Sequence, residues 1–304
     1  MSAGAWLLQW IMKLAWFIVR NRKPDMKRLR KNINFWAGFI PRPFRVKYQR
    51  FSIEGIAAEW MVPRGADETK ILYYLHGGAY AMCSIVTHRR LISLIAKRAG
   101  VKALAIEYCL VPEDVFPQAL NQACKAYQWL LSQGYRPENI VIGGDSAGGG
   151  LATATLLKLR DDKVPLPSGA ILLSPWTDLE GMGESNTMAD QASLINNVAL
   201  REYGVAYAGN EDLRHPYISP VYGDFHGLPP IYIQVSDIEL LYDDSTRLKA
   251  KALRDGVSVR MDVWKRMQHV WQVYDFFVPE AKRALKDLAA FVSERLQTKH
   301  IPIP

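Results

Sequence analysis

The stretch "IVIGGDSAGGGLA", Ile140 to Ala152, sets one serine and one aspartate among five glycines directly after a short apolar run. An apolar run that gives way at once to small residues reads as a buried strand turning straight into a helix. In an open parallel sheet, chemistry collects at the carboxyl ends of the strands, and Ser146 falls at that point. Gly144-x-Ser146-x-Gly148 fits a tight strand-to-helix turn that holds a serine hydroxyl clear of the backbone, its glycines letting strand and helix approach closely. A phosphate-cradling loop is the competing reading, but no Gly-Lys-Ser/Thr follows and GxGxxG spacing is absent.

The flanking sequence supplies the sheet that such a turn needs. Phe44 to Ile53 and Gly55 to Val62 read as an antiparallel pair. "KILYYL" (Lys70–Leu75), "VKALAIEY" (Val101–Tyr108), "NIVIGG" (Asn139–Gly144), "AILLS" (Ala170–Ser174), "PIYIQV" (Pro230–Val235) and "VSVRMDVW" (Val257–Trp264) read as buried strands. Helical patterns lie near 87–99, 117–132, 147–161, 240–255 and 279–297. The alternation predicts an α/β protein with a mostly parallel eight-stranded sheet covered by helices on both faces. Residues 179–229 break the rhythm, carry their own helix-like segment near 191–208, and read as an insertion over the sheet's edge.

A chain of 304 residues, 49% apolar and 22% charged, is an ordinary globular composition. Cys83, Cys109 and Cys124 show neither CxxC spacing nor an even count, which argues against a disulfide framework or a zinc site and favours the cytoplasm. The net charge of +8 is local: residues 1–50 hold twelve Lys/Arg against Asp25 alone, leaving the rest slightly acidic. A basic arm on an acidic body does not suggest a nucleic-acid-binding protein. The arm opens with "AWLLQWIMKLAWFIV" (Ala5–Val19), about 22 Å as a helix and short of a membrane span. It reads either as a helix packed on the body, over a binding site, or as an interfacial helix that seats Trp6, Trp10 and Phe17 in a membrane surface while basic residues meet anionic headgroups. A membrane anchor is the third reading, and no signal peptide is evident.

Ser146 needs partners. "HGGAY" (His76–Tyr80) follows the strand "KILYYL", where the N–H groups of Gly77 and Gly78, with that of Ala147, could meet a developing oxyanion. A serine also needs a base, and of six histidines only His269, in "WKRMQHVWQ", follows the last strand on the sheet edge that carries Ser146. His76, His88, His215, His226 and His300 read as surface or packing residues. After "PIYIQV" the chain continues "SDIELLYDDS", so Asp237 and Glu239 both lie in the turn where a third, acidic partner belongs.

Taken in order, "HGGAY", "EYCLVPEDVFPQAL", "GDSAGG", "SPWTDL", "GLPPIYIQV" and "MQHVWQ" resemble the motif series of the hormone-sensitive-lipase-like family of microbial carboxylesterases, over about Lys70 to Gln272. The resemblance implies the α/β-hydrolase fold and a serine carboxylic-ester hydrolase with no cofactor or metal, acting on short- to medium-chain acyl esters. It also implies a helical cap, so that the chain divides into N-terminal cap helices (1–45), a catalytic core (46–178 and 230–304) and a cap insertion (179–229). The family's acidic segment, laid on Leu241, Asp243 and Asp244, puts the triad carboxylate at Glu239, with Asp237 the alternative. Asp145 corresponds to a positioning residue. Two positions depart from the pattern: Ala79 replaces the third glycine of HGGG, and Cys109 stands where an arginine is common. Non-catalytic receptors share this fold but lack the histidine, while amidases, lactonases and thioesterases share the triad. A homodimer, and peripheral membrane contact through the arm, are open expectations.

Overall fold

Eight buried or half-buried runs build one sheet in the computed structural model, which describes residues 1–19, 25–187 and 197–297. The strands are β1 (Val46–Ile53), β2 (Ile56–Pro63), β3 (Asp67–Leu75), β4 (Val101–Ile106), β5 (Ile140–Asp145), β6 (Gly169–Leu173), β7 (Ile231–Ser236) and β8 (Val259–Trp264). Their order is β1-β2-β4-β3-β5-β6-β7-β8. β2 runs antiparallel to both neighbours, and every other pairing is parallel. Parallel strands buried on both faces read as near-continuous apolar runs, as β5, β6 and β7 do. β8 corrects the expectation of a buried strand: it has β7 as its one sheet neighbour and is only half-buried, with Arg260 and Val263 exposed.

Alternate residues of each strand face opposite layers. Leu72, Tyr74, Val141 and Ile171 pack with α3 (Ile85–Ala99) and α8 (Pro279–Leu296). Tyr73, Leu75, Ile142 and Leu172 pack with α4 (Gln118–Ser132), α5 (Ala147–Asp161) and α7 (Tyr242–Arg254). The insertion contributes α6 (Asn197–Ala208), whose Tyr207 ring stacks on Tyr80 with centroids 3.7 Å apart.

The arm folds as two helices, α1 (Ala3–Val19) and α2 (Met26–Ala37). The inner face of α1 packs on the body: Ala5 and Leu8 join Met267, Trp271, Val278 and Ala281, and Gln9 Nε2 donates to the Arg266 carbonyl at 2.8 Å. The α2 start is capped by Asp25, which accepts from the Lys27 and Arg28 amides. Arg30 then donates to the carbonyls of Ala81 and Val111, tying α2 to the loops after β3 and β4. Among the described residues no helix is long and apolar enough to cross a membrane. The side chains of Lys13 and Phe17, with Arg20, His300 and the first part of the 191–208 segment, lie outside the described residues.

Close backbone crossing fixes the turn at Ser146. A Cβ on Gly144 would lie 2.2 Å from the Gly148 carbonyl oxygen, and one on Gly148 would lie 2.2 Å from that of Leu75. Gly148→Ala is expected to cost about 1–3 kcal/mol through this overlap, measured as a lowered urea midpoint; an unchanged midpoint would show that strand and helix can separate freely.

Candidate active site

Ser146 stands between β5 and α5 at φ 52° and ψ −125°, a positive-φ conformation that side chains seldom adopt. Three backbone bonds hold it there: its amide donates to the Leu173 carbonyl at 2.9 Å, and its carbonyl accepts from Trp176 at 2.9 Å and Gly150 at 3.1 Å. Ala147, the next residue, opens α5, so its amide belongs to the first turn and has no intrahelical acceptor.

His269 and Ser146 line the same pocket, a cavity of about 610 Å³ that Gly78 and Ala79 also line. The Nδ1 of His269 lies 2.5 Å from Glu239 Oε2. The other oxygen of Glu239 accepts from the Ser236 amide at 2.7 Å and the Ser174 hydroxyl at 2.8 Å. The Glu239 carboxylate is thus buried, fully engaged and fixed in direction. Asp237 is exposed and turned elsewhere, accepting from the Arg266 amide at 2.6 Å. Of the two acids in the turn, Glu239 is the one brought to His269.

Gly77 requires a correction. Its amide, expected to face an oxyanion, donates instead to Asp145 Oδ1 at 3.1 Å. A Cβ on Gly77 would lie 2.2 Å from the other oxygen of that carboxylate, so the glycine serves to admit Asp145. Gly78 and Ala79 line the pocket that holds Ser146, as do Met82 and Cys83 further along the loop, whereas Gly77 does not. Ala79, which the sequence presents as a departure from a glycine run rather than as a donor, sits at φ 53°, in the positive-φ region that favours glycine.

His88, which reads from the sequence as a surface or packing residue, instead serves Asp145. Its Nε2 lies 3.0 Å from Asp145 Oδ2, while the Tyr74 hydroxyl donates to Oδ1 at 3.0 Å. Burial alone would push the Asp145 carboxyl up, but the charge and hydrogen bond of His88 and the Tyr74 hydroxyl outweigh it and hold the group below the usual carboxylate range. Burial likewise opposes charge on His88, and Asp145 overcomes it, raising the imidazole above its ordinary value. His76 differs: burial and the nearby His88 push it down to about 4. Its Nδ1 lies 2.8 Å from the Gly77 carbonyl, and its ring stacks on Tyr108.

Residues 72–273 match a family described by its α/β-hydrolase fold. An acetyl-hydrolase of Streptomyces hygroscopicus is 43% identical over 236 residues, 77% of this chain and 79% of that protein. An esterase of Acinetobacter venetianus is 33% identical over 267 residues, 87% of this chain and 88% of that protein. A crystal structure of an esterase from the bacterial hormone-sensitive lipase family superposes with a TM-score of 0.90 at 35% identity, covering 97% of this chain and 99% of the other. The esterase EstE5, in crystals soaked with p-nitrophenyl butyrate, gives a TM-score of 0.90 at 34% identity, over 98% of this chain and all of the other.

Burial of neutral His76 has a consequence for stability. The unfolded chain protonates this imidazole near its ordinary 6.5 and the folded chain only near 4, so the unfolded state binds more protons between the two values. Stability present above pH 6.5 should fall by about 3 kcal/mol from this group as the pH drops toward 4. His88, raised in the folded state, acts in the opposite sense as pH rises. Urea unfolding of His76→Phe should lack that acid slope; an unchanged slope would place the titration elsewhere.

Proposed function

The chain belongs to the hormone-sensitive-lipase-like family of α/β-hydrolases, and on that footing we propose that it hydrolyses carboxylic esters through Ser146, His269 and Glu239. The observation that carries this reading is the 2.5 Å contact of buried Glu239 with His269, which shares one pocket with a serine held at positive φ. Engaging Nδ1 with the carboxylate leaves Nε2 to serve the serine. Ser146 Oγ attacks the ester carbonyl carbon while His269 takes its proton, and the carbonyl π pair moves onto oxygen. The amides of Gly78, Ala79 and Ala147 meet that oxyanion, each worth about 3–4 kcal/mol to the transition state. As the tetrahedral species collapses, the C–O bond to the alcohol breaks and His269 returns its proton to the departing alkoxide. Water then attacks the acyl-enzyme by the same route, releasing the acid and free Ser146.

The substrate is a small-molecule ester with a short to medium acyl chain. A largely apolar cavity of about 610 Å³ supports this size class. The acetyl-hydrolase relative and the butyrate ester soaked into EstE5 support its short end. In this reading α1, α2 and the 179–229 insertion form the cap over the core.

Ser146→Ala is expected to lower kcat on p-nitrophenyl esters by roughly 10⁴–10⁶ and to abolish labelling by a fluorophosphonate probe. A variant keeping more than about a tenth of the parental rate would overturn the assignment, and a parent that resists the probe would point to a receptor.

The acid is tested separately. Glu239→Gln should lower kcat by roughly 10³–10⁴ and Asp237→Asn by less than about tenfold, each shown folded by circular dichroism. The reverse ranking would move the role to Asp237.

A further inference from the structure

The mouth of the Ser146 pocket is rimmed by large apolar side chains that the fold leaves in solvent. Trp36 on α2 and Phe276 after β8 both line the cavity, yet they are 69% and 57% exposed. Next to Trp36, Phe35 and Phe39 are exposed as well, and the three rings form a cluster with centroids 5.2–6.0 Å apart. Phe44, just beyond, is 77% exposed. On the Phe276 side, Gly4 of α1 lies against the Phe277 carbonyl, and the outer face of α1 presents Trp6, Leu7, Trp10 and Ile11 to solvent. Scattered surface apolar residues need no explanation, but a cluster of exposed rings at the mouth of a pocket, with a second exposed apolar face on a helix packed beside Phe277, marks an interaction surface.

The charges around the rim select its occupant. The described residues 25–47 hold seven Lys/Arg against Asp25 alone, and the Asp25 carboxylate is occupied in capping α2. Lys27, Arg28, Lys31, Arg42, Arg45 and Lys47 are all exposed. A second copy pairing symmetrically through this face would press these cations against their equivalents. An anionic bilayer meets both features together: aromatic rings enter the headgroup boundary while lysine and arginine stems reach the phosphates.

We infer that this rim seats the protein on an anionic phospholipid surface with the pocket mouth against the lipid, so that Ser146 receives ester directly from the membrane. The delivery of ester rests on the proposed function; the seating does not. An ester that partitions into the bilayer would then enter the cavity between Trp36 and Phe276 without crossing water.

The test uses the full chain carrying Ser146→Ala, so that turnover does not affect binding, with vesicles of phosphatidylcholine alone or with about 30% phosphatidylglycerol. The inference expects co-sedimentation with the anionic vesicles, at least about tenfold weaker in 500 mM than in 50 mM salt, and a blue shift of tryptophan emission on binding. F35S/F39S/F44S should lower the partition coefficient at least about tenfold, and K27E/K31E/R45E on the order of 100-fold. In the Ser146 parent both sets should keep the rate on water-soluble p-nitrophenyl acetate, because none of these residues lines the pocket.

Absence of binding to anionic vesicles overturns the inference, as does equal, salt-insensitive binding to both vesicle types. So does a dimer that F35S/F39S/F44S converts to monomer while vesicles are ignored, since a second copy then covers the rim. The lipid and salt comparisons on the unsubstituted surface decide the matter even where a variant fails to fold. Vesicle binding by a parent that hydrolyses no soluble ester would leave the seating intact and reject the proposed function.

Discussion

Ser146 is held at φ 52°, in a region that costs a non-glycine residue of order 1–3 kcal/mol unless its surroundings over-determine it. Here they do. Bonds to Leu173 on β6, to Trp176 beyond it and to Gly150 on α5 fix the peptide on both sides, and the bare Cα atoms of Gly144 and Gly148 let three backbone segments cross in a space with no room for a methyl group. The parallel pairing of β3, β5 and β6 sets the height at which those segments meet. Once that crossing is made, the hydroxyl has one place to go, and the position of every other polar group around the pocket is measured from it.

Asp145, one residue earlier, extends the same constraint sideways. Its carboxylate gathers the Gly77 amide, the Tyr74 hydroxyl and the His88 imidazole, joining β3, the loop after it and α3 to the strand that carries the serine. An unpaired buried carboxylate would be strongly destabilising, and this one has three partners. Glu239 repeats the solution across the pocket, with Ser236 and Ser174 fixing one oxygen so that the other is aimed at His269. Rigidity around the cavity thus comes from two saturated carboxylates rather than from apolar packing alone.

Much of this could be read from the residues. Strands such as "NIVIGG" and "PIYIQV" announce themselves because burial on both faces demands continuous apolar runs, and the serine turn follows from glycine spacing. The meeting of Glu239 with His269 lay within the reading of the acidic turn. What escaped depends on orientation rather than composition. Gly77 and Gly78 carry the same letter, and only the approach of Asp145 makes one amide a structural donor and leaves the other at the pocket. His88 sits in a helix with ordinary periodicity, so nothing local separates it from a packing residue. β8 reads like its neighbours, but a strand with one neighbour in the sheet can leave alternate side chains in solvent. α2 buries no residue fully, so its sequence has no core stripe, and a second helix within 1–45 was expected from the resemblance alone.

The loop that carries His269 is braced by α1, since Gln9 reaches Arg266 and Leu8 packs with Met267 and Trp271, while the Ser2 amide and hydroxyl both donate to Glu280 at the start of α8. A ribosome makes these partners in the least convenient order. More than 250 residues of synthesis separate α1 from the surface that covers Ala5 and Leu8. At about 5–20 residues per second, its apolar face waits on the order of 10–50 s before that surface exists. The nascent protein therefore carries this apolar face uncovered until the segment from Met267 to Ala284 has followed it out of the ribosome.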